Sequence, residues 1–402
     1  MPADPQAPGL ALLGSPVGQA RDELGERRPV ELGEQRPVER VSSPQNPAPV
    51  AQVTTGPAPE ISTVADDEVV VHLPATSQRP AQVLRRDGLA PGQEVEIAGL
   101  TTRTLPRPPG ERLSTVCTVN DTHLGETTCG AVGAPGGPNH IPGIEALPGE
   151  PPYPETMSLA AAAEIAALDP DAVVAKGDLT AEGSPHQLAS FEACYRPLLG
   201  DRLHSCLGNH DVVDPQSPLS GPPTQLVSVP GLTVAILDTS EPGRAGGKVS
   251  PDQLDWLDEV ARTATQPVIV LGHHPPWDPA SAGRPDDYFG IAPAGSEGLV
   301  DVVARRSAIV GYAAGHTHRN LVRHFAATGA LPWIEVAAVK DFPGSWAEYR
   351  VFEGGVLAVH HRISYPAALA WSERCRCLIH GCYPAYAFGS LADRCFSIRH
   401  RR

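Results

Sequence analysis

Short apolar runs recur between residues 114 and 361, and glycine, proline or charged residues bound each of them. Runs of this length with such boundaries are typical of buried β-strands. We predict strands over residues 114–120, 172–176, 203–207, 232–238, 268–271, 308–312, 333–339, 349–352 and 356–361. We predict helices over 159–168, 186–198, 296–305 and from the capping residue Ser250 to about Thr263.

The segment before this region has a different pattern. Residues 69–73 are strand-like, residues 88–92 have the composition of a turn, and residues 94–97 alternate between polar and apolar side chains. The string GLAPGQEVEIAGLTTRTLP resembles the closing strands of a fibronectin type III-like domain. We therefore predict a small β module with its linker over residues 62–110.

The N-terminus is predicted to be a disordered, proline-rich tail over residues 1–61. Within it, ELGERRPV is followed at once by ELGEQRPV, and a repeat of that length is too short for a solenoid unit. We expect no folded core in this tail.

The chain carries a formal net charge of −15 over 402 residues. A nucleic-acid partner requires a basic surface, so none is expected. No apolar stretch has the length of about 18 residues that a membrane helix needs, and no membrane association is expected. The N-terminus lacks the pattern of a signal peptide, which favours a cytoplasmic protein with reduced thiols.

Four of the eight cysteines, Cys375, Cys377, Cys382 and Cys395, lie in a C-terminal extension over residues 363–402. Their C-x-C-x4-C spacing lacks the paired C-x2-C knuckles of a structural zinc site. Packing cysteines are the expected interpretation.

Candidate chemistry is concentrated in five short motifs, each directly after an apolar run. They are DTH at 121–123, GD at 177–178, GNHD at 208–211, GHH at 272–274 and GHTH at 315–318. In α/β proteins, loops at the carboxyl ends of strands meet at one place. Histidine mixed with carboxylate, without cysteine, suits Mn, Fe, Zn or Co rather than Mg²⁺ or Ca²⁺. The motifs supply enough ligands for two such ions, which together can activate water and bind phosphate.

These motifs, in this order, resemble the calcineurin-like metallophosphoesterase superfamily. The strings VNDTHLG, KGDLT, GNHD, GHHPPW and GHTH look most like its class III cyclic-nucleotide phosphodiesterase and glycerophosphodiesterase branch. The resemblance implies an α/β fold over residues 111–362, a four-layer α/β/β/α sandwich with metals at one edge.

The resemblance also implies two divalent or mixed-valence ions and the ligands of each. Asp178 bridges the ions in this assignment, and the full set is Asp121, His123, Asp178 and His318 for one ion and Asp178, Asn209, His273 and His316 for the other. A metal-bridging hydroxide is the expected nucleophile. His210 is the candidate for proton transfer to the leaving group, and Asp211 is expected to hydrogen-bond its other nitrogen.

Candidate substrate contacts are less specific. His274 could be a substrate contact, an outer partner of the metals or an alternative ligand. Trp277 could stack on a nucleobase or belong to the core, and Arg319 could bind a phosphate oxygen or lie on a solvated face. The Gly/Pro-rich loop over residues 124–157 is expected to be either a substrate lid or a flexible connection.

The function implied is hydrolysis of a small phosphate ester, more specifically a cyclic nucleotide or a glycerophosphodiester. Two alternatives stay open, a phosphomonoesterase and a binding scaffold that keeps the fold without catalysis. The sequence does not identify the substrate, the native metals or the oligomeric state.

Overall fold

The computed structural model describes residues 58–133 and 136–400. The predicted tail therefore lies outside the described residues up to residue 57, and the first strand begins at Glu60, just inside the predicted tail boundary.

The strands are β1 Glu60–Val64, β2 Val69–Leu73, β3 Gln82–Arg86, β4 Glu94–Ile97, β5 Leu100–Arg103, β6 Arg112–Val119, β7 Ala172–Lys176, β8 Leu203–Cys206, β9 Thr224–Val229, β10 Leu232–Leu237, β11 Val268–Leu271, β12 Ile309–Ala314, β13 Leu321–Arg323, β14 Trp333–Glu335, β15 Ser345–Phe352, β16 Gly355–Arg362 and β17 Cys395–Arg399. The helices are α1 Tyr153–Ala166, α2 Pro185–Leu199, α3 Pro251–Thr263, α4 Pro293–Arg305, α5 Pro366–Arg374, α6 Tyr383–Ala387 and α7 Leu391–Arg394.

Two six-stranded mixed sheets form the centre of the fold. The first has the order β17-β16-β15-β6-β7-β8, and the second has the order β13-β14-β12-β11-β10-β9. The strands that precede the five motifs are parallel to their sequence neighbours within each sheet. Their carboxyl ends therefore lie on the same side of the sheets.

Three apolar cores separate four layers. The two sheets pack face to face through side chains that include Val174, Ile236 and Ile269. Helices α1, α2 and α5 cover the outer face of the first sheet, whereas α3 and α4 cover the outer face of the second. This arrangement is the predicted α/β/β/α sandwich.

Strand β7 shows why the apolar runs were continuous rather than alternating. Ala172 and Val174 face the other sheet, whereas Val173 and Ala175 face the helices. A strand buried on both faces needs apolar side chains at every position. The apolar run therefore ends only where the strand reaches the polar edge.

The N-terminal β module packs on the first sheet. It consists of the three-stranded sheet β1-β2-β3 and the hairpin β4-β5, and its apolar side chains share a core with strands β15 to β17. Arg350 of β15 reaches into the module, where it contacts the carboxylates of Asp66 at 2.8 Å, Asp67 at 2.6 Å and Glu68 at 2.9 Å. The same guanidinium group binds Glu348 at 2.9 Å. A buried ion-pair network thus joins the module to the sheet.

Most predicted elements are present with shifted ends. The predicted strand 69–73 and the Ser250 cap are confirmed, and Ser250 forms a full capping box with Gln253. Helix α1 begins six residues before the prediction because its prolines lie in the first turn, where a missing N–H costs nothing. Within the described part of the chain, no helix is long and apolar enough to cross a membrane.

Candidate metal centre

The five motifs converge where the parallel strands end. Five of the predicted ligands have left-handed backbone conformations, with φ of 52° at Asp121, 45° at His123, 50° at Asp178, 68° at His316 and 53° at His318. Such conformations are rare for residues other than glycine and cluster at functional sites. The backbone therefore turns sharply at each of these five ligands, which helps to direct their side chains to a common point.

The first group contains Asp121, His123 and His318. Their ligand atoms lie within 4.8 Å of one another. Nε2 of His318 is 3.4 Å from Oδ1 of Asp121, and Nδ1 of His318 is 2.9 Å from Oδ2 of Asp341. One ring nitrogen thus faces the group while the other is held by a carboxylate outside it. We call this group pocket 1.

The second group contains Asn209, His273 and His316. Nε2 of His273 is 3.2 Å from Oδ1 of Asn209, and its Nδ1 is 2.8 Å from the carbonyl oxygen of Lys176. Nε2 of His316 is 2.8 Å from the carbonyl oxygen of Phe289, which leaves its Nδ1 free to face the site. We call this group pocket 2.

Asp178 lies between the two pockets. Its Oδ2 is 3.5 Å from Nε2 of His123 in pocket 1 and 3.3 Å from Nε2 of His273 in pocket 2. Its Oδ1 accepts a hydrogen bond from the backbone N–H of His210 at 2.8 Å. A carboxylate in this position could be shared by two neighbouring cations.

The residues present fit transition-metal ions. Nε2 of His123 is buried without a hydrogen-bond partner among the described residues, although buried polar atoms normally have one. Carbonyl or carboxylate groups hold the outer ring nitrogens of His273, His316 and His318, as they do in known metal sites. A coordinated cation would satisfy the inner nitrogens.

Opposite charges are packed closely in both pockets. Burial lowers the pKa of His318, but the carboxylates of Asp121 and Asp341 outweigh burial and raise this pKa to about 10. Burial also opposes protonation of His273, yet the Asp178 and Asp121 carboxylates raise its pKa to about 9. Both carboxylates therefore draw positive charge into the site, which is what bound cations supply.

The remaining two histidine ligands favour the neutral form. Burial and the charge of Lys340 lower the pKa of His123 to about 4. Burial and the charge of His273 lower the pKa of His316 to about 3. A neutral imidazole is the form that binds a metal ion.

His210 lies beside pocket 1 and is only partly buried. Its ring centroid is 4.4 Å from that of His123, and its Nδ1 is 2.9 Å from the carbonyl oxygen of Ala181. Because a carbonyl oxygen only accepts, Nδ1 donates to it. The other nitrogen, Nε2, is then available to a bound molecule.

The expectation that Asp211 would hold the tautomer of His210 is wrong. The Asp211 carboxylate is fully buried and accepts hydrogen bonds from the backbone of Leu179, Thr180 and Gly208 and from the hydroxyl of Thr180. Nδ1 of His210 pairs instead with the carbonyl oxygen of Ala181. Asp211 therefore fastens the loops after β7 and β8 together, and the Ala181 carbonyl takes the expected role.

The structure places His274, one of the ambiguous candidates, beside pocket 2. It is fully buried, with Nδ1 at 2.9 Å from the hydroxyl of Thr239 and Nε2 at 3.3 Å from the carbonyl of Ala245. One of its ring nitrogens lies within 4.8 Å of a ring nitrogen of His273 and of a ring nitrogen of His316. Since both ring nitrogens already have partners, an outer supporting role fits this side chain best.

The structure does not favour the other two candidate substrate contacts. Trp277 is 6% exposed, so its ring belongs to the interior and is not offered to a nucleobase. The guanidinium group of Arg319 pairs with the buried carboxylate of Glu335 at 2.8 Å while its side chain is 32% exposed, so it is engaged in an ion pair rather than free for phosphate.

Sequence reasoning missed four residues that border the site. Asp341 holds His318, the ion pair Glu126–Lys340 lies against His123, and Phe289 stacks on His316 with a centroid distance of 4.0 Å while remaining 39% exposed. The position of Asp341, shortly after the predicted strand 333–339, was an available signal. Nothing in the local pattern connects Glu126 with Lys340.

Glycine at position 208 allows the close approach of two motifs. A Cβ atom built on Gly208 would overlap Oδ1 and the backbone nitrogen of Asp178. Any larger residue here would displace the carboxylate that lies between the pockets.

The cysteines of the C-terminal extension do not form a metal site. Cys375 and Cys395 are buried in different cores, whereas Cys377 and Cys382 are exposed. None of the candidate metal-binding groups in residues 58–133 and 136–400 contains a cysteine.

Comparisons with known proteins agree with the geometry. The model of the calcineurin-like phosphoesterase family matches residues 114–320. A probable cyclic nucleotide phosphodiesterase of Synechococcus is 29% identical over 198 residues, which cover 46% of this chain and 72% of that protein. A cAMP/cGMP dual specificity phosphodiesterase of Mycobacterium tuberculosis is 35% identical over 121 residues, which cover 27% of this chain and 38% of that protein.

A dimetal phosphatase from Danio rerio is similar among the solved structures, with 16% identity, a TM-score of 0.48, and coverage of 63% of this chain and 100% of that chain. The chain spans less than two thirds of the mycobacterial relative. The stretch matched by the family model contains all seven predicted metal ligands but ends before Lys340 and Asp341.

Proposed function

Since the chain belongs to the calcineurin-like phosphoesterase family, we propose that it is a phosphodiesterase with two transition-metal ions and that cyclic nucleotides are its substrates. The observation that carries this proposal is the position of Asp178, whose one carboxylate oxygen lies within 3.5 Å of a histidine from each pocket. Two adjacent cation sites that share a carboxylate suit a phosphate group, which has oxygens for both.

In this proposal, pocket 1 and Asp178 hold one ion, and pocket 2 and Asp178 hold the other. When bound, the ions supply Lewis acidity that makes water acidic and neutralises the charge of the phosphate. Asn209 contributes a neutral oxygen to pocket 2, which leaves the site more positive than an aspartate would. The ligands are imidazole, carboxylate and an amide oxygen without cysteine, which suits manganese, iron, zinc or cobalt, and manganese or iron is the proposed choice among them.

His210 is proposed as the residue that handles the proton of the leaving group. Its Nδ1 is engaged with the Ala181 carbonyl at 2.9 Å, so only Nε2 can serve a substrate. When His210 is protonated, Nε2 donates to the leaving oxygen as the ester bond breaks. Because the side chain is partly exposed, it can also recover a proton from solvent.

Cyclic nucleotides are proposed because both relatives described above are named as phosphodiesterases of such substrates. A glycerophosphodiester would offer the same phosphate chemistry, and a monoester would bring one more negative charge. The scaffold alternative is disfavoured because every predicted ligand is present and converges. The small phosphate ester is the proposed partner, with no nucleic acid.

A cytoplasmic location is also part of the proposal. All eight cysteines are free, and six of them are buried as packing residues. Unpaired cysteines are typical of a reducing compartment.

The test is a substrate panel on metal-reconstituted protein. The panel contains 3′,5′-cyclic AMP and GMP, a glycerophosphodiester, a phosphomonoester and single-stranded DNA. We expect the cyclic nucleotides to have the highest kcat/KM, chelation to abolish turnover, and added Mn²⁺ to restore it. Faster hydrolysis of the monoester would contradict the diester proposal, and turnover that persists after complete chelation would contradict the metal centre.

Asp178→Ala tests the shared ligand in the same protein. Both ions lose a ligand in this variant, whereas His316→Ala and His318→Ala each remove a ligand from one ion. We expect elemental analysis to find less metal in Asp178→Ala than in either histidine variant. Retention of two ions per chain by Asp178→Ala would show that the bridging assignment is wrong.

A further inference from the structure

The turn that carries His316 and His318 is hydrogen-bonded to residues beyond position 320, where the match to the family model ends. Both histidines have left-handed backbone conformations, and Thr317 lies between them. Such conformations are unfavourable for residues other than glycine and persist only when neighbouring contacts enforce them. The contacts that enforce this turn are therefore part of the metal-binding arrangement.

One of these contacts comes from the short helix α6 in the C-terminal extension. The hydroxyl of Tyr386 donates to the carbonyl oxygen of Thr317 at 2.8 Å. The hydroxyl of Thr317 itself donates to the buried carboxylate of Glu335 at 2.7 Å. Backbone and side chain of the residue between the two ligands are thus fixed by two separate elements, α6 and β14.

The chain just after the turn is held by the same helix. The backbone N–H of Asn320 donates to the carbonyl of Ala387 at 3.0 Å. The ring of Tyr386 also lies under the guanidinium group of Arg319, 5.5 Å from its centroid. Residues 317 to 320 therefore run along α6 immediately after leaving the metal site.

Helix α5 supports the other side of pocket 1. The indole N–H of Trp371 donates to the carbonyl oxygen of Lys340 at 2.8 Å. Lys340 precedes Asp341, whose carboxylate holds His318 at 2.9 Å. Trp371 is itself fixed by the ring of Tyr153, which stacks on it with a centroid distance of 4.1 Å.

We propose that the segment Trp371–Ala387 is a clamp for pocket 1, in which Tyr386 and Trp371 are positioning residues that act on His318 through Thr317 and through Asp341. The clamp touches backbone carbonyl groups rather than the metal or the substrate. Its contribution is to keep the ligand turn in its binding conformation, so metal affinity depends on residues about 50 or more positions beyond the last ligand.

The variant Tyr386→Phe tests this proposal. It removes one hydroxyl but keeps the ring beneath Arg319. Loss of a side chain that hydrogen-bonds a metal ligand typically lowers metal affinity about 10–100-fold. Tyr386 hydrogen-bonds Thr317, the neighbour of the ligands, rather than a ligand itself, so we expect a loss of about tenfold. Mn²⁺ titrated into metal-free protein, with free Mn²⁺ followed by its electron paramagnetic resonance signal, gives the affinity.

Tyr195→Phe is the matched control. The Tyr195 hydroxyl, in helix α2 and outside the clamp, is buried without a hydrogen-bond partner in the described part of the chain, so its removal should leave Mn²⁺ affinity unchanged. Trp371→Phe provides a second, independent variant that loses the bond to Lys340 and should also weaken binding.

Thermal unfolding separates positioning from plain stabilisation. A positioning role predicts that Tyr386→Phe reduces the rise in Tm produced by Mn²⁺, because the metal-bound form loses more than the metal-free form. An equal fall in Tm with and without Mn²⁺, at wild-type affinity, would overturn the proposal. The readout is binding rather than turnover, so an incorrect substrate assignment would not affect the result.

Discussion

His210 and Asp211 are sequence neighbours with different surroundings. His210 is partly exposed beside pocket 1, whereas Asp211 is fully buried among donors from two loops. Changes at the two positions should therefore affect different properties of the protein.

We predict that His210→Ala lowers turnover by about 10²–10⁴-fold, the usual contribution of a general acid. Metal content should not change, because Nδ1 is engaged by a carbonyl and the ring is not among the predicted ligands. Steady-state kinetics on an alkyl and an aryl diester, with elemental analysis, provide the measurement. The loss should be smaller for the aryl ester, whose leaving group needs little protonation. Equal losses on both esters would exclude the general-acid role.

We predict that Asp211→Ala reduces stability by several kcal/mol, since each buried donor left without an acceptor costs about 1–3 kcal/mol. The donors concerned belong to Leu179, Thr180 and Gly208. Urea unfolding of the metal-free protein gives the change in unfolding free energy. Asp214→Ala, at an exposed position with one local bond, is the control. Wild-type stability in Asp211→Ala would mean that these bonds contribute little.

At the scale of elements, the loops after parallel strands decide the geometry of the site. The loops after β7 and β8 are so close that glycine is required at position 208, opposite Asp178. The loops after β7 and β8 are in direct contact, so a shift in one is transmitted to the ligand in the other.

We predict that Gly208→Ala lowers the amount of metal retained after dialysis and costs about 1–3 kcal/mol of stability through overpacking. Gly221→Ala is the matched control, because the nearest atom to its added Cβ is Oδ2 of Asp238 at an ordinary 3.7 Å. Elemental analysis of both variants supplies the comparison. If Gly208→Ala retained as much metal as Gly221→Ala, the Asp178 carboxylate would have to tolerate displacement.

At the scale of the whole molecule, an ion-pair network joins the N-terminal module to the first sheet. Burial raises the pKa of Glu348, but its hydrogen bond with His361 and the charge of Arg350 outweigh burial and lower the pKa below its ordinary value of 4.5. The unfolded chain therefore takes up a proton at this residue at a higher pH than the folded chain does.

The sign of the pH effect follows from this difference. Stabilisation by Glu348 should be complete above about pH 4.5 and should decrease as the pH falls toward the lowered pKa. We predict that Glu348→Gln lowers Tm at neutral pH and flattens the fall of Tm below pH 4.5. Glu94→Gln, in an ion pair whose carboxylate side chain is 69% exposed, is the control. If the Tm of Glu348→Gln fell with pH in parallel with that of the wild type, Glu348 would not be the source of this pH dependence.

The family, the fold class and the metal-dependent phosphoesterase activity predicted from the motifs are confirmed. They were predictable because the ligand motifs directly follow apolar strands. Both the apolar run of a strand and the identity of the residues after it can be read from the sequence. Short or atypical elements were not predicted. Strand β13 has three residues and β17 lies beyond the family resemblance, so neither has a distinctive pattern of its own.

Sequence by itself determined which residues can bind metal and the order in which strands deliver them, because these depend on residue type and on local periodicity. Only the tertiary structure decided what holds those residues. Asp341 binds His318, Tyr386 binds the turn beside it, and Lys176, in a strand that otherwise looks apolar, is buried with its ammonium group on the Ala314 carbonyl. Such contacts depend on where side chains point and on segments far apart in the chain meeting in space, and no local pattern encodes either.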